Sequence, residues 1–305
     1  MRANEFEIIQ TLTKRLKTSA EGVVQGIGDD AACVMIGGEL LLISNDDMRE
    51  NVHFRRDFPP RGIGYKLIAA NASDILACGG VPKWINLSVG FPPDLDENWA
   101  IELYDGVAQA TRELNMVVTG GNVSRSDRIQ LGGAVFGTTT RFVSRGGAKI
   151  GDDLWLSASL GDSRLGLDSL LEGAKNEALA NMHLYPKLAL ALQPLIAAFA
   201  SSAIDISDGF LGDVGHLAKA SGVGFEIDNP KAMISNATLT RMGDENAALD
   251  FALNSGEEYR LLFTAPIKSR KTFLDAGAIL IGRAKADKTV AIGGKLVETR
   301  GFSHF

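Results

Sequence analysis

Apolar residues along this 305-residue chain switch between two periods, and the switches mark its elements. Residues 4–18 place Phe6, Ile8, Ile9, Leu12 and Leu16 at helical spacing, which predicts a short amphipathic helix. Two strand-like runs, 32–35 and 40–44, flank Gly37-Gly38, a pair suited to the tight turn of a β-hairpin. Residues 62–78 predict a helix with small residues on one face, ending at Gly79-Gly80. Strand 84–91, helix 97–114, strand 116–121 running into glycines, and a long strand 129–143 follow, with Gly132-Gly133 reading as a bulge. The glycine-rich, charged break RGGAKIGDD (145–153) precedes a second series. It predicts strand 153–159, helices 163–172 and 186–200, strand SAIDIS, a helix closed by Gly222, and strands 223–228 and 259–265. Helices and strands alternate in both halves, so the expected fold class is α/β (α+β) in two domains, 1–148 and 149–305.

Composition narrows the functional classes. The net charge of −6 and pI near 5.3 argue against a protein that grips nucleic acid through its phosphates. Cys33 and Cys78 lie far apart with no CxxC, which predicts buried thiols in a reducing compartment. The acid-bearing start MRANEFEIIQ lacks the apolar core of a signal peptide, and the apolar run 188–200 is broken by Gln193 and Pro194. The expectation is a cytoplasmic chain with no membrane partner. Neither a strand–GxGxxG–helix fingerprint nor a GxxxxGK[ST] loop occurs.

The chemistry-bearing feature is a recurrent placement of acids beside glycines or apolar runs: Asp29-Asp30, Asp46-Asp47, Asp74, Asp205 with Asp208, and Glu257-Glu258. Any one of these is as often a cap or turn residue, but for Asp74 the apolar neighbours and the adjacent Ser73 favour a buried, cation-bound acid over a helix acid facing water. Five such places point instead to a hard, oxygen-seeking cation such as Mg²⁺, which commonly accompanies a phosphate. The four histidines show no zinc spacing. Gly79-Gly80 and Gly120-Gly121 either cradle phosphate on backbone N–H groups or are plain turns. Arg145 is a phosphate clamp or a linker cation, and His53 by itself reads as structural.

Taken in order, GIGDDAACV, NDDMRENVHF, GYKLIAANASDILACGGVPKW, VVTGGNVSRSD, AIDISDGFLGDVGHLA, ALNSGEEYRLLFT and IGR at 281–283 resemble the thiamine-monophosphate kinase family. The resemblance runs from about residue 26 to the terminal GFSHF. It implies an aminoimidazole ribonucleotide synthetase-like fold, with an N-terminal sheet-and-helix domain forming a homodimer and a C-terminal α+β domain. ATP and several Mg²⁺ ions would lie in the cleft between them. By motif, Asp30, Ser44, Asn45, Asp46, Asp74, Asn122, Asp205 and Asp208 would hold Mg²⁺. Tyr104, Gly121, Asn122, Arg145 and Ser207 would contact ATP, while His53, Glu257 and Phe302 would face thiamine monophosphate. Four stretches depart from the family pattern: Ser44-Asn45 for Thr-Thr, Asn122 for Asp, SGEE for GGED, and Phe302 for a stacking Trp.

The implied reaction is direct in-line transfer of the γ-phosphoryl group, with no dedicated base and no phospho-enzyme. Two rivals remain. A selenophosphate synthetase-like ATPase would need a reactive N-terminal Cys, and none precedes Cys33. A non-catalytic nucleotide-binding protein would be signalled by a damaged acidic set, of which only Asn122 is an instance.

Overall fold

In the computed structural model, which describes residues 5–299 and 301, two β-sheets organise the chain. The first half runs α1 (Glu5–Thr13), β1 (Val23–Gln25), β2 (Ala32–Ile36), β3 (Glu39–Arg49), α2 (Pro60–Ala77), β4 (Val81–Phe91), α3 (Glu97–Glu113), β5 (Val117–Arg125) and β6 (Gln130–Thr139). Its six strands lie in the order β1-β2-β3-β6-β4-β5, antiparallel except for the β4–β5 pair. Gly37 and Gly38 turn β2 into β3 at φ +61° and +88°, the backbone that a two-residue hairpin turn demands. β3 then continues through Asp46 and Asp47, so these acids sit within a strand rather than after one.

Alternation along β3 sends Leu42, Ser44, Asp46 and Met48 to the face covered by α2, while Asn45 and Asp47 face away. α2 is enclosed on nearly every side. It starts on Pro60, where a missing N–H costs nothing, and crosses α3 at glycines. A Cβ on Gly64 would lie 2.0 Å from the Leu103 carbonyl oxygen, and one on Gly106 would lie 1.8 Å from that of Arg61. The small-residue face read from the sequence is this crossing. The opposite face of the sheet leaves Ile36 and Trp84 exposed, and the edge strand β5 leaves Val117 and Val123 in solvent.

The second half contributes β7 (Asp153–Leu156), α4 (Asp162–Leu171), α5 (Glu177–Leu184), α6 (Gln193–Phe199), β8 (Ser202–Asp205), α7 (Phe210–Ser221), β9 (Gly224–Ile227), α8 (Asn236–Met242), α9 (Glu245–Leu253), β10 (Leu261–Ala265), α10 (Arg270–Asp275), β11 (Ile279–Lys285), β12 (Val290–Ile292) and β13 (Lys295–Leu296). The strand order is β13-β12-β9-β11-β7-β10-β8. Both faces are covered: Leu154 and Leu156 join a core with Phe210 and Val214, while Trp155 packs with Phe263 and Phe273 in another. The two halves are knitted together. Leu170, Ala180 and Leu184 of α4 and α5 belong to the same core as Ile63 and Leu67 of α2.

Three expectations are corrected here. Gly132-Gly133 is no bulge, since β3 and β6 pair in unbroken register past it; the missing Cβ of Gly133 makes room for Asn71 of α2 instead. Gly120-Gly121 lies inside β5, and Gly79-Gly80 is packed beneath Leu42 and Val143, so neither forms a phosphate loop. The single helix expected at 186–200 is shortened to α6 behind a 3₁₀ turn at 190–192, and α5 precedes it. Among the described residues, no helix is long and apolar enough to cross a membrane.

Candidate active site

A cavity of about 930 Å³ gathers residues from both halves. Asp30, Ser44, Asn45, Asp46, His53 and Asp74 line it from the first, with Arg145 from the segment after β6, and Asp205, Ser207, Asp208 and Glu257 from the second. At its centre, carboxylate oxygens of Asp30, Asp74 and Asp205 all lie within 4.8 Å of one another. Three separate elements deliver them. Asp30 precedes β2, Asp74 sits in the last turns of α2, and Asp205 ends β8. Serines fix two of the three: Ser44 Oγ donates to Asp74 at 2.6 Å, and Ser73 Oγ to Asp205 at 2.7 Å. Asn71 of α2 accepts from the backbone N–H of Asp46 at 3.1 Å, which locks β3 to the helix beside the cluster.

Like charges held this close out of water resist ionising together. Burial, then opposition from neighbouring acids, pushes Asp46 up to about 6; Asp205, buried, with Asp46 and Asp208 nearby, also rises to about 6. Asp30 reaches about 7 through burial, although Arg145 pulls it down. Asp74 is raised well above the usual range, by burial first and then by Asp46 and Asp205. The Asp30 Oδ2 atom is buried with no hydrogen-bond partner. An all-oxygen donor set with an orphaned carboxylate oxygen fits a hard dication such as Mg²⁺. Cys78 adjoins Asp29 and Asp30, but burial keeps its thiol protonated and unfit as a ligand.

The adjacent acids Asp29 and Asp30 have different partners. Asp29 accepts from Ser144 Oγ at 2.7 Å and from the Arg145 backbone N–H at 3.2 Å, tying the GIGDD turn to the segment after β6. Asp30 pairs directly with the Arg145 guanidinium. The same division of labour recurs at Glu257-Glu258. Glu258 turns inward and accepts from the N–H groups of Gly161 (2.8 Å) and Ser163 (3.3 Å) at the start of α4. Glu257 turns toward the cavity and meets Lys66 Nζ at 2.7 Å. Backbone bonds from Glu257 N to Ser207 O (2.7 Å) and from Tyr259 N to Ile206 O (2.9 Å) hold both residues at positive φ, +54° and +50°.

Three expected residues lie apart from this cavity. Tyr104 is exposed on α3, and Gly121 and Asn122 are exposed on β5. Through the register Asp46–Gly133–Leu87–Gly121 the two β5 residues stand level with the acids but three strands away, roughly 14 Å at normal strand spacing. Phe302 lies outside the described residues; Gly301 before it lines the cavity, where an added Cβ would come within 3.1 Å of Asp208. Sequence reasoning missed Lys66, His183 and the buried Asp213. The signal for Lys66 and Asp213 is a lone charge inside a run of otherwise apolar helix positions.

Residues 28–139 match the model of the family described as AIR synthase related protein, N-terminal domain. Thiamine-monophosphate kinase of Aquifex aeolicus is 38% identical, with 99% of this chain and 98% of the relative covered. That of Escherichia coli K12 is 35% identical over 88% of this chain and 85% of its own. The solved complex of AaThiL with AMPPCP and TMP superposes with a TM-score of 0.91 at 37% identity, covering 100% of this chain and 99% of that one.

Proposed function

Because this chain belongs to the thiamine-monophosphate kinase family, we propose that it transfers the γ-phosphoryl group of ATP to the phosphate of thiamine monophosphate, giving thiamine diphosphate and ADP. The observation that carries the reading is the convergence of Asp30, Asp46, Asp74 and Asp205, from four distant stretches, on one cavity. The solved complex of a relative with an ATP analogue and TMP supports the pair of substrates.

Donor and acceptor are both anions, so the chemistry is mainly a matter of overcoming repulsion and aligning them. Mg²⁺, held by Asp30, Asp46, Asp74, Asp205 and Asp208 with Ser44 and Asn45 as neutral oxygen donors, would supply the screening charge, whereas Asn122, three strands away, stands outside this donor set. The residues of this chain do the rest. Ser44 and Ser73 aim their carboxylates, and Asn71 fixes β3 against α2. We assign Arg145 and Ser207 to the triphosphate, and Tyr104, Gly121 and Asn122 to ATP farther along the sheet. The acceptor's phosphate oxygen is already ionised near neutral pH, so no side chain need take a proton. His53 and Glu257 are assigned to the acceptor, with Phe302 beyond them.

The division into domains 1–148 and 149–305 belongs to the same reading, as do a cytoplasmic location and a homodimer. The dimer would form through the uncovered face of the first sheet, where Ile36 and Trp84 are exposed. The test is conversion of thiamine monophosphate to thiamine diphosphate by the full chain with ATP and Mg²⁺. Clear ATP binding without product would overturn the kinase reading in favour of a nucleotide-binding protein.

A further inference from the structure

Lys66 has no part in the reaction as described, yet it is 1% exposed in the middle of α2. Its ammonium lies 2.7 Å from Glu257 Oε1 and 2.6 Å from His183 Nε2 on α5. The ammonium can only donate, so Nε2 accepts and the imidazole proton sits on Nδ1, facing Ser163 Oγ (3.0 Å) and O (3.2 Å). Burial, then the Lys66 charge, pushes His183 down to about 3, which keeps it a neutral acceptor. The arrangement is a buried post from Ser163 through His183 and Lys66 to Glu257, which is itself 26% exposed to the cavity.

Stability does not explain this post, because a buried ion pair is on balance no better than well-packed apolar side chains. What it does is set the charge state and direction of one carboxylate. The acids of the central cluster are drawn toward protonation by burial and by one another. Burial would do the same to Glu257, but the Lys66 ammonium outweighs it and holds it below the usual glutamate range. Its backbone, strained at φ +54°, points the same carboxylate at the cavity. That carboxylate offers a fixed negative site for a weakly hydrated organic cation.

We propose that Lys66, oriented by His183, is a positioning residue that keeps Glu257 ionised and aimed, so that the cavity selects phosphate acceptors whose other end is cationic. This deepens the proposed function and rests on its assignment of Glu257 to the acceptor. The thiazolium of thiamine monophosphate has that positive charge.

The test is calorimetric binding of thiamine monophosphate and of its neutral analogue, in which a thiophene replaces the thiazolium. It is run on the full chain with a non-hydrolysable ATP analogue and Mg²⁺. The wild type binds the cationic acceptor about 10-fold more tightly, the scale of one charge-assisted contact. In Lys66→Met this ratio falls to near unity at neutral pH, whereas Lys66→Arg preserves most of it. Around Glu257 the ionisable groups are Lys66, His183, His53, Asp46 and Tyr259. Without Lys66 its carboxyl climbs, so the ratio recovers as the pH is raised above neutral, which simple loss of packing would not produce. The shared phosphate cancels from the ratio. An unchanged ratio in a folded Lys66→Met overturns the inference and leaves the kinase reading intact. A wild type that binds neither acceptor and makes no product overturns both. Should Lys66→Met not fold, Lys66→Met is added to Glu257→Gln, where neither charge remains. The double variant must then match Glu257→Gln alone, and any further shift in the ratio overturns the proposal.

Discussion

Two parts of the same cavity treat buried carboxylates in opposite ways. Around Asp30, Asp74 and Asp205, carboxylates crowd within 4.8 Å, share a single guanidinium and leave one oxygen without a partner. At Glu257, one carboxylate has its own buried ammonium at 2.7 Å and a neutral histidine behind it. The first arrangement is incomplete without an added cation, and the second is complete as folded. Side-chain identity alone does not decide what an acid does in a site. In the proposed reading, the cation already supplied by the chain separates an acid that would take a metal from one that would meet the acceptor.

The sharpest way to break this contrast is to neutralise one acid from each part. Asp74→Asn is expected to lower kcat about 10²- to 10³-fold, as loss of a preorganised electrostatic contact does, with the fold intact by circular dichroism. Glu257→Gln should instead raise KM for thiamine monophosphate about 10-fold with kcat little changed. If Asp74→Asn acted on KM in the manner of Glu257→Gln, the distinction would collapse. Glu258 sharpens it from the other side, since its carboxylate serves the start of α4 and not the cavity. Glu258→Ala should cost about 1–3 kcal/mol of stability in denaturant titration through unsatisfied buried N–H groups. Its Mg²⁺ titration should be that of the wild type, and a metal defect there would assign Glu258 to the cluster.

Acidity gives the next test. Asp30 at about 7 and Asp46 and Asp205 at about 6 hold protons in the folded chain that the unfolded chain, near 3.8, has released. More protons bound when folded means that metal-free stability falls as pH rises from about 4 through about 7. His183, at about 3 when folded, works the other way, removing stability as pH falls below its ordinary value of 6.5. Mg²⁺ competes only with the aspartate protons. The rise in melting temperature on adding Mg²⁺ should therefore be larger at about pH 8 than at about pH 5. Equal rises would speak against metal at these acids. The smallest effect is expected from Ser73→Ala, which frees Asp205 without removing it. Mg²⁺ affinity should weaken roughly 10-fold by calorimetry, the usual scale for a group that orients a ligand.

The sequence makes the acids visible but not their grouping by role. Gly37-Gly38 announces the hairpin, and the small residues of 62–78 announce a close helix crossing, because both rest on local backbone chemistry. β3 looks shorter in sequence than it is, since Ser44, Asn45, Asp46 and Asp47 interrupt its apolar run where it enters the cavity. Glu257 and Glu258 are indistinguishable as neighbours. Their opposite directions come from bonds to Ser207, Ile206 and Gly161, residues roughly 50 or more positions away in the chain. Lys66 shows in the sequence only as a lone charge in an apolar helical run, and nothing there pairs it with His183 of α5.

α2 exposes almost none of its surface, and its Lys66, Ala70 and Asp74 follow one another at four-residue spacing along a single stripe. A helix clamped this way is a ruler. Eight residues of rise set about 12 Å between its cation-bearing end and its acidic end. Lengthening or shortening the arm that joins the acceptor's ring to its phosphate would therefore put one end out of register, whatever the affinity of either end alone.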